Sequence, residues 1–96
     1  MNVQIENNRN FGIQLIVVDN GFVYVGNIHY EDGFYVVTNG FNVRKSGTTR
    51  GFGELAFNGP LADSELDPCP PVLVPEGRMC HLIGCSAGKW AATIKA

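Results

Sequence analysis

Residues 13–44 read IQLIVVDNGFVYVGNIHYEDGFYVVTNGFNVR, and this stretch decides the fold. Residues 13–18 are short, apolar and β-branched, the composition of a strand. Asp19-Asn20-Gly21 follows as a turn, because Asn and Gly tolerate positive φ. Residues 22–30 form the next predicted strand, with Gly26 as a bulge that lets Val23, Val25 and Ile28 face one way. Glu31-Asp32-Gly33 turns the chain again, Asp-Gly supplying hairpin geometry. Residues 34–38 are a third strand. Asn39-Gly40 is the strongest two-residue hairpin signal, and residues 41–44 continue as a fourth strand. Three turns at short, regular spacing predict an antiparallel meander. A sheet of about five short strands usually curls on itself. The expected fold is therefore mainly β: a small SH3-like or Sm-like antiparallel β-barrel.

Downstream of the meander the signals are weaker. Residues 45–53 form a glycine-rich loop, and residues 54–57 read as a short strand or strand edge. Asn58-Gly59-Pro60 breaks the chain, and residues 61–71 read as an acidic, proline-rich, irregular loop. Residues 72–74 are a final strand candidate. Pro75 suits the first turn of a helix, and Met79, Leu82 and Ile83 fall at helical spacing, so residues 76–84 are expected to form one short C-terminal helix. Gly84, Gly88 and Lys89 fit its end, and Trp90 is expected to cover the barrel or a neighbouring subunit. Residues 1–10 are polar and Asn-rich, and read as a flexible N-terminal arm ahead of a single domain over residues 11–96.

Composition narrows the function classes. The chain has 96 residues, 45% hydrophobic and 17% charged, as a folded single domain has and a disordered chain does not. Seven basic and nine acidic side chains give a net charge of −2, which counts against a general electrostatic nucleic-acid binder. No stretch approaches the ~18 apolar residues of a membrane span. The polar start carries no apolar signal core, so export is not expected and a cytoplasmic setting is. Cys69, Cys80 and Cys85 are then expected to be reduced thiols.

The segment of residues 44–53 holds the most chemistry. It carries three cationic side chains, three hydroxyls and three glycines in ten residues. Glycine lets backbone N–H groups approach a ligand, and successive N–H groups form anion-binding nests. Arg44 and Arg50 can grip phosphate oxygens in fork geometry, Lys45 as a point charge. Ser46, Gly47, Thr48 and Thr49 add donors, and Phe52 offers a ring for a base. The order of a Walker loop is absent. The competing reading is a solvated hairpin tip.

Other constellations are less favourable. Cys80, His81 and Cys85 have the wrong spacing for structural zinc, and no metal or other cofactor is expected. On a helix Cys80 and His81 diverge by about 100°, too far for a nucleophilic pair. His29 reads as an exposed strand residue. Asp63, Glu65 and Asp67 sit in a loop without fixed geometry, suited to solvation or to pairing with the basic loop of a neighbouring chain. No complete catalytic set is visible, so the chain is not expected to be an enzyme. Ten aromatic residues in so small a domain cannot all be buried, which favours a homo-oligomer.

Several runs carry a resemblance: Gly21-Phe22-Val23-Tyr24-Val25-Gly26, Val36-Val37-Thr38-Asn39, Gly47-Thr48-Thr49-Arg50-Gly51-Phe52-Gly53-Glu54-Leu55-Ala56, Asn58-Gly59-Pro60, Leu66-Asp67-Pro68 and Val74-Pro75. Over roughly residues 12–90 the chain resembles a family of small, uncharacterised tailed-bacteriophage proteins. The central Gly-Thr-Thr-Arg-Gly-Phe-Gly-Glu-Leu-Ala run is its most specific part. The family pattern has an aromatic residue just before Gly47, where this chain has Ser46. The resemblance implies a phage origin, action in the host cytoplasm and no known reaction. By analogy it implies an accessory, anti-defence role, including capture of nucleotide immune signals.

Together these readings predict a non-catalytic protein that sequesters a phosphate-bearing small molecule, such as a cyclic nucleotide, on residues 44–50 near a subunit interface. Two alternatives stand beside it. One is an Sm-like oligomer binding single-stranded nucleic acid. The other is a protein inhibitor that blocks a host defence partner.

Overall fold

The structure is a computed structural model that describes residues 8–94. Three long strands come first: β1 (Asn8–Val18), β2 (Val23–Glu31) and β3 (Phe34–Lys45). A helix α1 (Phe52–Asn58) precedes two short strands, β4 (Glu65–Pro68) and β5 (Val72–Pro75). A single 3-10 turn over Glu76–Arg78 leads into β6 (Met79–Gly84) and helix α2 (Ala87–Trp90). All pairings are antiparallel, in the order β4-β3-β2-β1-β6, with β5 beside β4 on the same edge of β3. Among the described residues the sheet does not close, because β6 pairs with β1 alone and neither β4 nor β5 reaches it. The mainly β, antiparallel meander expected from the sequence is present. The ladder itself does not form the expected barrel, and there are two short helices where one was expected.

Hydrophobic residues are buried on both faces of this sheet. One core gathers Leu15, Val23, Val25 and Val43 under Leu55 and Ala56 of α1 and Trp90 of α2. The other holds Ile16, Val18, Ile28, Val37 and Val74. Side chains alternate along a strand, so odd and even positions should feed different cores. In the three long strands two bulges break that rule. Phe11 and Ile13 are both odd yet join different cores, because the β1–β2 register slips at Gly12, where φ is +75°. Tyr35 and Val37 likewise part from Phe41 and Val43 across Asn39-Gly40. There Asn39 takes φ +51°, and a Cβ on Gly26 would lie 2.9 Å from the Cα of Gly40. Each bulge turns one long strand from one core to the other.

Four sequence readings are corrected here. Asn39-Gly40 is a bulge inside a continuous β3, not a hairpin, because its extra residues lie opposite Gly26. Residues 54–57 belong to α1, since Phe52, Leu55 and Ala56 at i, i+3 and i+4 put three apolar groups on one helical face. Residues 76–84 are a 3-10 turn and a strand rather than a helix. Cys80 is the bulged residue between the pairs Val17–His81 and Val18–Met79, so Met79 and Leu82 share a core at a spacing of three that mimics a helix. Residues 61–71 are not wholly irregular, since Glu65–Pro68 pair with β3. Residues 1–7 of the predicted arm lie outside the described residues, and residues 8–10 belong to β1. The Asp19-Asn20-Gly21 and Asp32-Gly33 turns are as expected, with φ of +51° and +89° at Asp32 and Gly33.

Candidate functional site

The loop after β3 is ordered by its own hydrogen bonds. The Ser46 and Thr48 hydroxyls lie 3.0 Å apart, and Thr48 Oγ1 accepts from Gly51 N at 3.1 Å. Glu54 Oε1 accepts from Arg50 N at 3.0 Å. Ser64 Oγ donates to the Ser46 carbonyl at 2.6 Å and accepts from Leu61 N, tying the loop to the turn before β4. Thus the backbone donors at Arg50 and Gly51, which an anion nest needs, are taken by side chains of α1 and of the loop itself.

Its charges are divided. Arg44 donates from Nε to Asp67 at 2.8 Å and from Nη1 to Glu65 at 2.5 Å. Strand pairing explains this: Asn42 lies opposite Asp67 and Lys45 opposite Glu65, so the two carboxylates flank Arg44. The acidic segment therefore mates with the basic one within the chain. Lys45, Thr49 and Arg50 are exposed, and neither Lys45 nor Arg50 has an ion-pair partner among the described residues. Phe52 is half-buried against the core under α1 rather than presented as an open stacking face.

Arg44 holds the Asp67 carboxyl below its usual range, chiefly through the hydrogen bond; desolvation opposes this and the guanidinium charge adds to it. A carboxylate depressed in the folded state adds stability above its ordinary pKa, lost as pH falls through the depressed value. In Arg44→Gln, the Asp67 titration followed by carbon NMR is expected to rise towards the ordinary value. An unchanged titration would place the cause elsewhere. The pair is exposed, so its share of stability is small.

Three recesses around this sheet have no residue of the basic loop in their walls. A groove of about 340 Å³ runs between the β1–β2 turn and β5. Its walls include Phe22, Tyr24, Val72, Leu73, Pro75 and Arg78. Phe22 is 54% exposed and Leu73 60%, although both are large apolar side chains. In β5, Val74 points into the core, which turns its neighbour Leu73 outward. The turn wall is fixed by Asn20, whose Oδ1 accepts from Phe22 N at 3.0 Å. Asp19 N donates to the Arg78 carbonyl at 2.8 Å, and Arg78 reaches the Asp19 carboxylate at 3.3 Å, closing one end of the groove. β5 pairs with β3 on one side, and no described strand pairs with its other side. The sequence reading missed this groove, although the exposed Phe22 beside a turn and the Val-Leu-Val-Pro run were its signals.

The three cysteines are spread out: Cys80 is exposed, Cys69 and Cys85 are half-buried. Burial pushes the Cys85 thiol up to about 12, the opposite of an activated nucleophile. His81 is exposed on β6, and His29 lies 3.3 Å from Glu31. Among the described residues no three side chains of His, Cys, Asp or Glu gather as a metal site would require. No helix among them is long and apolar enough to cross a membrane.

Compared with known proteins, the chain matches no family model, and no curated protein is significantly similar to it.

Proposed function

We propose that the protein is a non-catalytic binding protein that holds an extended, apolar segment of a partner protein in the groove between the β1–β2 turn and β5. One observation carries this reading: Phe22 and Leu73, both more than half exposed, stand in the walls of one groove, and one side of its β5 wall is paired with no described strand. Extended peptides dock on such edges through main-chain bonds, and side-chain pockets give the specificity. The groove has the size of small binding sites, ~300–1,000 Å³. In this reading the open sheet is an incompletely closed relative of an SH3-like barrel, and the protein acts by occupying a partner, such as a host defence protein in the host cytoplasm. Peptides selected from a random display library are expected to be rich in apolar residues at alternate positions. Leu73→Glu, a change at an exposed site, is expected to abolish their binding, while Arg50→Ala leaves it intact. Peptides that bind Leu73→Glu equally well would overturn the reading.

A second reading is supported by the exposed Lys45, Thr49 and Arg50. It is sequestration of a phosphate-bearing small molecule, such as a cyclic nucleotide, by a phage accessory protein. With the Arg50 and Gly51 backbone donors already engaged, a second copy in a homo-oligomer supplies further donors in this reading. A native mass spectrum of protein incubated with a nucleotide extract is then expected to show a retained nucleotide mass on an oligomer, lost in Arg50→Ala. A monomer with no added mass would exclude it.

A further inference from the structure

A second recess, of about 190 Å³, lies at the opposite end of β1 and is lined by Arg9, Phe11, Tyr30, Tyr35 and Glu76. Its rings come from three adjacent strands. Phe11 of β1 and Tyr35 of β3 stand 6.0 Å apart at 46°, and Tyr30 of β2 meets Tyr35 edge-on at 5.2 Å. The bulge at Gly12 is what brings Phe11 to this face, since without the register slip it would join Ile13 in the other core. Tyr30 donates its phenolic hydrogen to Glu76, which orients the ring and sets a carboxylate at the mouth. This bond, with some desolvation, raises the Tyr30 pKa and keeps the phenol protonated.

We infer that this recess is a binding site for an alkylated ammonium group. Ring faces carry negative charge density and attract cations placed within about 6 Å of the centroid. Three rings with a carboxylate at the rim give a cage that suits a weakly hydrated, methyl-bearing cation. A bare metal ion or a primary ammonium loses more hydration than rings can replace. One of these rings already carries a cation: the Arg9 guanidinium carbon lies 4.8 Å from the centre of the Phe11 ring. Of the charged side chains that line the recess, Glu76 is the carboxylate that can pair with the ligand's charge. Arg9 is exposed, and its side chain can swing out, so it acts as a displaceable internal occupant. This site does not depend on the groove, which is lined by other residues.

The test titrates the full chain with tetramethylammonium, choline and a peptide carrying trimethyllysine, following the ring signals of Phe11, Tyr30 and Tyr35 by NMR. Saturable shifts at these rings are expected. Arg9→Ala should tighten binding, and Glu76→Gln should weaken it, each by about three- to tenfold. Tyr35→Leu keeps apolar bulk but removes a ring, and is expected to abolish binding while the buried Trp90 signal shows that the fold persists. Binding of choline points to a small-molecule source, and binding of the peptide alone points to a modified protein. The inference is overturned by no saturable shift in Arg9→Ala, by equal shifts with sodium at the same ionic strength, or by unaltered binding in folded Tyr35→Leu.

Discussion

Replacing Trp90 with alanine is expected to destabilise the protein by about 3–5 kcal/mol, a third or more of the stability of a typical small domain. Trp90 is 0% exposed and is the largest fully buried side chain among the described residues. It sits in the core with Leu15, Val25 and Leu55. Its Nε1 donates to the Ala56 carbonyl at 3.1 Å, joining α2 to α1. That carbonyl also accepts from Ser86 N at 2.9 Å, so losing the indole does not leave it unpaired. Most of the cost is therefore the cavity and the lost apolar contact. Trp90→Phe should cost only about 1–2 kcal/mol, as the ring is reduced rather than removed and one hydrogen bond goes. Lys89→Ala, at an exposed neighbour, should cost almost nothing. Urea midpoints at unchanged slope measure all three. Equal midpoints for Trp90→Ala and Lys89→Ala would mean that the two-helix cap over the sheet is wrong.

Gly47→Ala is the second large expected effect. Gly47 has φ +71°, where a side chain costs roughly 1–2 kcal/mol. Its Cβ would also fall 2.4 Å from both the Asp63 carbonyl carbon and Ser64 N, backbone atoms that cannot turn aside. Overpacking adds roughly 1–3 kcal/mol, so about 2–5 kcal/mol is expected in total. The damage should be local at first, since the hydrogen bond from Ser64 Oγ to the Ser46 carbonyl spans the same contact. Gly53→Ala provides the contrast. A Cβ there meets nothing within 4 Å, and the residue lies within α1, so alanine should add about 0.5–1 kcal/mol. A Gly47→Ala protein as stable as the parent would refute the loop packing described here.

The sequence made the meander legible because its turns are written in local chemistry. Asp32-Gly33 and Asn20-Gly21 act through their own backbone preferences, and the structure has both turns. Asn39-Gly40 carries the same local signal but is overridden by pairing: β2 continues past it, and the two residues bulge out opposite Gly26. No local rule separates those outcomes. Met79, Leu82 and Ile83 misled for a related reason, because a bulge at Cys80 turns strand spacing into apparent helical spacing. In the basic loop, the residue types were visible but not their commitments. Arg44 faces Glu65 and Asp67 only because β4 returns along β3, a contact about 20 residues away in sequence. The two signals of the groove could not be joined from sequence for the same reason, since Phe22 and Leu73 lie 51 positions apart and share its walls only through the fold.

The most direct measurement is a chemical-shift map of labelled protein titrated with a library-selected apolar peptide. Shifts are expected to gather on Asp19, Phe22, Tyr24, Leu73 and Arg78, and to vanish in Leu73→Glu. Shifts that gather instead on Lys45, Thr49 and Arg50, or a peptide that binds Leu73→Glu as tightly as the parent, would contradict a groove built to hold a partner.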